Sequence, residues 1–166
     1  MVLGLSISAF TTLHVLLSLV GIASGLVAVA AMISRRSSPG WTALFLTTTL
    51  LTTLTGFLFP ISVLTPALIV GLVSLALLIA ALLALYAFHS RGAWRWIFVV
   101  TAVAALYLNV FVLIVQAFQK IGFLNALAPT QSEPPFLVAQ AAALLAFLIA
   151  GYLAAVRIPP RGLPAV

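Results

Sequence analysis

Residues 96–118 read WIFVVTAVAALYLNVFVLIVQAF, an apolar run that contains no charged side chain. A helix crosses the hydrocarbon core of a bilayer, about 30 Å thick, with roughly 20 residues. Because lipid cannot hydrogen-bond to a free backbone, a run of this length is expected to cross as an α-helix. The run therefore predicts a transmembrane helix.

Four further apolar runs have comparable lengths, and the breakers between runs read SRRSSPG at 34–40, PISVLTP at 60–66 and HSRGAWR at 89–95. With 65% apolar and 5% charged residues, the 166-residue chain has too little polar surface for a water-soluble globule. We predict an all-α, polytopic integral membrane bundle, a single domain over 1–156 followed by a short cytoplasmic tail over 157–166. Its five transmembrane helices are expected at about 8–33, 41–59, 67–88, 96–118 and 136–156.

The basic residues indicate the orientation of the bundle. In the five-span arrangement six arginines fall on one side of the membrane, and Lys120 falls on the other. The six are Arg35, Arg36, Arg91, Arg95, Arg157 and Arg161. Because Lys and Arg concentrate in cytoplasmic loops, we expect the N-terminus outside, the C-terminus in the cytoplasm, and a multi-pass protein of the plasma (inner) membrane. The net charge of +6 is then an orientation signal and predicts no nucleic-acid partner.

Small and hydroxyl side chains recur at steps of three and four along the first predicted helix, which places them on one face. This face contains Ser18, Gly21, Gly25 and Ala28, with His14 one turn before Ser18. The GxxxG spacing of Gly21 and Gly25 allows a neighbouring backbone to approach closely. The pattern predicts a helix-packing surface, either inside one subunit or between two copies of the chain.

Five polar side chains from four predicted helices fall at similar depths in the outer half of the membrane, by the rise of 1.5 Å per residue. They are His14, Thr52, Asn109, Gln116 and Gln140. Polar groups in hydrocarbon are costly unless paired and usually face the bundle interior. The layer is therefore either interhelical hydrogen bonding, with a neutral His14 bonded to Asn109 or Thr52, or a ligand-binding layer in which His14 binds a ligand, accepts a proton or coordinates haem or a metal.

Composition excludes several kinds of chemistry. The chain has no cysteine and one acidic residue, Glu133, which precedes the last predicted helix. Acid/base hydrolysis, zinc coordination and carboxylate-driven proton pumping normally need more of these groups. His14 and His89 are separated by about 20 Å along the membrane normal, too far for a bis-histidine haem in one subunit. We expect no enzyme, no metal site and no cofactor, with haem or quinone at His14 as the alternative.

The stretches ALYLNVFVLIVQAF at 105–118 and ALAPTQSEPPF at 126–136 are similar to parts of small bacterial inner-membrane proteins that have no assigned activity. The resemblance covers the fourth predicted helix, the outer loop and the start of the fifth. It implies a bacterial plasma membrane as the location and transfers no catalytic residue.

Three functions remain open at the level of sequence. The first is a non-enzymatic protein that acts through helix contacts with other membrane subunits or with itself, as an accessory subunit, an assembly factor or a homo-oligomer. The second is a small transporter or ligand-binding protein with an outward-facing pocket at the polar layer. The third is a redox protein that binds haem, quinone or a pigment at His14.

Overall fold

A computed structural model describes residues 2, 4–36, 38–59 and 66–157 of the chain. Of the described residues, 84% are helical, and no strand forms among them. The helices are α1 (Ile7–Ile33), α2 (Pro39–Phe57), α3 (Pro66–Leu82), α4 (Trp94–Lys120), α5 (Gly122–Leu127) and α6 (Pro134–Arg157). A π-helical turn over Leu83–Ala87 extends α3. The predicted tail, including Arg161, lies outside the described residues except for Arg157.

Four helical segments of the described chain are long and apolar enough to cross a membrane. They are Ile7–Ile33, Pro66–Ala87, Trp94–Lys120 and Pro134–Arg157. The all-α class is confirmed, and these segments mark a multi-pass membrane protein. The helix α2 has 19 residues but is not among them, because its threonines lower its mean hydropathy. The count of five spans stays a prediction.

The helices start earlier than the sequence predicted. Pro39 begins α2, although 41 was the predicted start, and Pro134 begins α6 in place of 136. Proline is tolerated in the first helical turn because the N–H that it lacks has no partner there in any case. A breaker in the sequence is thus the first residue of the helix. The short α5 was not predicted, since its six residues lie in a loop.

Helices α1, α2, α3 and α4 form a ring in which each packs against the next and α4 closes on α1. The helix α6 packs against α1 and α4 from outside this ring. One end of the bundle, which we call the Arg end, carries Arg35, Arg36, Arg91, Arg95 and Arg157. The other is called the Lys120 end. Arg157 Nη1 donates to the Ile33 carbonyl at 3.2 Å, which joins the ends of α6 and α1 at the Arg end.

The hydrophobic core fills the ring toward the Arg end. A single cluster joins Met32 of α1, Phe45 of α2, Leu78 of α3 and Phe98 of α4 to Ala154 of α6. All of these side chains are buried. Burial of large side chains on facing helices fixes the position of each helix in this half of the bundle.

The small face of α1 packs against α2 inside the chain. A Cβ at Gly25 would lie 2.7 Å from both Phe45 Cδ2 and Leu106 Cδ1, and one at Gly21 would lie 3.1 Å from Thr49 Oγ1. Ala28 is buried on the same face. Because helix α2 occupies this surface, it is not open to a second copy of the chain.

Candidate ligand-binding cavity

A cavity of about 640 Å³ lies toward the Lys120 end between α1, α2, α3 and α4. Its volume falls within the range of small-molecule sites, roughly 300 to 1,000 Å³. Small residues of its lining include Ser18, Gly56, Ala67, Gly71, Ser74 and Ala117, beside larger ones such as Phe57, Phe59 and Leu113.

The polar lining residues of the cavity come almost entirely from three helices. Helices α1, α2 and α4 contribute Thr11, His14, Ser18, Thr52, Thr53, Asn109, Gln116 and Lys120. The same helices also contribute apolar lining residues, among them Val15, Leu19, Ile22, Phe57, Leu108, Val112 and Leu113. Helix α3 contributes Ala67, Leu68, Val70 and Gly71, with Ser74 as its one hydroxyl. A molecule that fills this space meets a mostly apolar surface, with hydrogen-bonding groups on the walls formed by α1, α2 and α4.

Four members of the predicted polar layer line the cavity together: His14, Thr52, Asn109 and Gln116. The fifth, Gln140, is not a lining residue. Its Nε2 donates to the Phe111 carbonyl of α4 at 3.2 Å, from α6 outside the ring. The rise per residue gives the depth of a side chain but not which side of the bundle its helix occupies. Gln140 therefore has the predicted depth and a different environment.

His14 is joined to α2 through Thr55. Its Nδ1 lies 2.8 Å from Thr55 Oγ1, and the Thr55 hydroxyl donates to the Leu51 carbonyl at 2.7 Å. Because a hydroxyl has one hydrogen, Thr55 Oγ1 accepts from His14 Nδ1–H, which assigns the tautomer from the hydrogen-bond network. The expected bond from His14 to Asn109 or Thr52 is not the one that forms. In the neutral ring Nε2 is left as an acceptor.

Asn109 connects α4 to α2. Its Nδ2 donates to Thr49 Oγ1 at 3.2 Å, and Thr49 is completely buried. Interhelical hydrogen bonds of this kind contribute about 0.6 kcal/mol on average in membrane proteins. Asn109 therefore helps to hold the ring together while it also lines the cavity.

Thr52 differs from the other buried threonines around it. Thr48 and Thr53 each donate to the carbonyl four residues earlier. Thr52 is 8% exposed, and its hydroxyl has no hydrogen-bond partner among the described residues. A buried polar group without a partner costs about 1–3 kcal/mol. Thr52 lines the cavity, but its hydroxyl oxygen is buried away from it and stays unsatisfied.

Lys120 is the one charged residue that lines the cavity. The single acid of the chain, Glu133, accepts hydrogen bonds from Thr130 N and Oγ1 and from Ser132 N instead. Desolvation acts to raise the pKa of Glu133, but the bonds from Thr130 and Ser132 together hold it below its ordinary value. Lys120 therefore has no carboxylate partner in the described part of the chain.

Sequence reasoning missed the contribution of α3. Nothing in the apolar run of α3 distinguishes Gly71 or Ser74 from packing residues. The position of Thr55 in the sequence places it in the outer half of α2, but its hydrogen bond to His14 was not predicted. Gly56 had a stronger signal, since it lies one turn beyond Thr52 on the same helical face. Among the described residues, no group of three or more His, Cys, Asp or Glu side chains comes together.

Comparison with known proteins returned no match among protein-family models, curated proteins or solved structures.

Proposed function

We propose that the chain is a five-span integral membrane protein that binds an amphiphilic small molecule in the cavity between α1, α2, α3 and α4. The observation that carries the proposal is a 640 Å³ cavity whose lining includes His14, Asn109, Gln116 and Lys120 among mostly apolar side chains. The role is binding or passage rather than a reaction, because the one carboxylate of the chain is not a lining group.

The course of the chain supports α2 as the fifth span. Helix α1 ends at the Arg end, and α3 begins beside the cavity, so α2 connects the two ends of the bundle. Its 19 residues are about 28 Å long at 1.5 Å per residue, close to the thickness of the hydrocarbon core. Threonine hydroxyls bonded to carbonyls one turn earlier are inexpensive in lipid.

The positive-inside rule assigns the Arg end to the cytoplasm. The N-terminus and the cavity, with Lys120 among its lining residues, are then on the outer side of the plasma membrane. In this orientation the cavity receives its ligand from the outer leaflet or from the space outside the cell.

The role of an accessory subunit or homo-oligomer has less support from the geometry. The glycine face that motivated it is occupied by α2. The exposed apolar side chains of α6, such as Leu145, Leu148 and Ile149, are what a lipid-facing helix presents. Haem or quinone binding at His14 stays a prediction, because among the described residues no cluster of three or more His, Cys, Asp or Glu side chains includes His14.

The proposal is tested by filling the cavity. A Cβ at Gly56 would meet only His14 Cε1, at 3.5 Å, so leucine can be introduced there without displacing backbone. We expect a small molecule to co-purify with the wild-type protein, detected by mass spectrometry of an organic extract, and to be lost from Gly56→Leu. The matched control is Gly40→Leu on the same helix, where a Cβ would meet nothing within 4 Å.

Retention of the same molecules by Gly56→Leu and wild type would contradict the proposal, provided that both variants elute as folded, monodisperse protein. Loss of the molecule from Gly40→Leu as well would contradict it too, because that change lies outside the cavity.

A further inference from the structure

We infer, resting on the proposed function, that the ligand is a single-chain amphiphile with a carboxylate head group. The carboxylate lies at the Lys120 end of the cavity, where Lys120 and Gln116 supply hydrogen-bond donors. The hydrocarbon chain lies against α3.

The charge of the lining favours an anion. Lys120 brings one positive charge to a space that contains no acidic side chain. Glu133 is engaged by Thr130 and Ser132, so the described chain offers Lys120 no counter-ion. Lys120 is an exposed residue at the end of α4, and a charge-assisted hydrogen bond from its ammonium to a carboxylate is about twice as strong as a neutral one.

The hydrogen-bonding groups of the lining favour the same head group. The Gln116 side chain makes no hydrogen bond to any described residue, so its amide can donate to one oxygen of a carboxylate while Lys120, one turn later on α4, donates to the other. An ammonium head group would instead meet Lys120, a like charge, with no carboxylate nearby to offset the repulsion.

The apolar lining favours one hydrocarbon chain. The wall formed by Ala67, Leu68, Val70 and Gly71 presents almost no polar group, and the volume is that of a small-molecule site. A chain gains little free energy on moving from lipid into such a cavity, since lipid tails are equally apolar. Selectivity in a membrane must therefore come from the head group rather than from the length of the chain.

The test measures binding of radiolabelled palmitate to the purified full chain in nonionic detergent at pH 7.5, with hexadecanol and hexadecylamine as competitors of the same chain length. We expect saturable palmitate binding that unlabelled palmitate displaces at least about tenfold better than either competitor. Lys120→Gln should weaken palmitate binding by about tenfold, the factor for one charge-assisted hydrogen bond. Lys120→Arg should retain it, and Arg91→Gln at the Arg end, which removes the same charge, should leave it unchanged.

The outcomes separate this inference from the proposed function. If hexadecanol competes as well as palmitate and Lys120→Gln has no effect, while Gly56→Leu still abolishes binding, the carboxylate head group is wrong and the cavity site stands. If Gly56→Leu leaves palmitate binding intact, the binding is not in the cavity and both are wrong. Equal weakening by Arg91→Gln and Lys120→Gln would indicate a general charge effect and would also overturn the inference.

Discussion

Thr52 has a buried hydroxyl that no hydrogen bond satisfies. Neighbouring threonines on α2 bond to their own helix, and Thr49 accepts from Asn109, so each of these hydroxyls has a partner. The Thr52 hydroxyl has none in the described chain, as is also true of Arg95 Nε and Gln140 Oε1. An unsatisfied buried group of this kind lowers the stability of the fold.

Replacement of Thr52 by valine should therefore stabilise the ligand-free protein. Valine keeps the shape and removes the unpaired hydroxyl, and we expect a gain of about 1 kcal/mol in the free energy of unfolding. The measurement is thermal unfolding in detergent after removal of bound lipid.

The matched control for this experiment is Thr53→Val, since Thr53 is also buried but donates to the Thr49 carbonyl at 2.9 Å. We expect no gain from this change. Equal stability changes for the two variants would show that the Thr52 hydroxyl is not unsatisfied.

The sequence predicted the level of the polar side chains along the bundle, but not which side of the bundle each of their helices occupies. The spacing along each helix placed His14, Thr52 and Asn109 in one layer, and all three line the cavity. Gln140 has a similar depth but lies on α6, outside the ring. No single sequence reports which helices are neighbours, because lipid-facing and protein-facing surfaces of an apolar helix have nearly the same composition.

At the scale of elements, the closest helix contact is between α1 and α2. Gly25 lets the α1 backbone approach Phe45, and Gly21 does the same for Thr49. In lipid, where no hydrophobic effect drives helices together, close van der Waals packing of this kind stabilises the pair. The GxxxG spacing was visible in the sequence, but the identity of its partner was not.

Substitution of Gly25 by alanine should destabilise the protein by about 1–3 kcal/mol, the usual cost of overpacking a core. The new Cβ would lie 2.7 Å from Phe45 and Leu106, which are themselves buried and cannot turn away. Thermal or denaturant unfolding in detergent measures the effect.

Gly40→Ala is the control for Gly25→Ala, because a Cβ there meets nothing and alanine is the better helix former. This variant should be as stable as wild type or slightly more stable. If Gly25→Ala behaved in the same way, α1 and α2 would not be packed as closely as described.

The ends of the helices were predictable to within a few residues. The remaining error, at the helix starts, comes from the role of proline. Proline at 39 and 134 was interpreted as a boundary, yet each begins a helix. For α2, the same threonines that lower its hydropathy also pair within the helix, so composition underestimates how well it tolerates lipid.

At the scale of the whole molecule, the hydrophobic core occupies the Arg end of the ring and the cavity occupies the Lys120 end. Five arginines of the described chain lie at the core end, and Lys120 lines the cavity. Under the proposed orientation, the core end is cytoplasmic and the cavity is in the outer half of the membrane.

Cysteine labelling tests this orientation directly, because the chain contains no cysteine. In intact cells we expect a membrane-impermeant maleimide to label Ser132→Cys, in the loop before α6. It should label His89→Cys, at the Arg end, only after the membrane is permeabilised.

Ser38→Cys, between α1 and α2, should behave like His89→Cys. Labelling of Ser38→Cys from outside without permeabilisation would contradict the arrangement in which α1 and α2 both cross the membrane and meet at the Arg end.

The most direct test of the central claim is a crystal structure of the protein grown from a lipidic mesophase. We predict elongated non-protein density between α1, α2, α3 and α4, with a polar atom of the bound molecule within hydrogen-bond distance of Gln116 or Lys120. A closed ring of helices without this density would contradict the account.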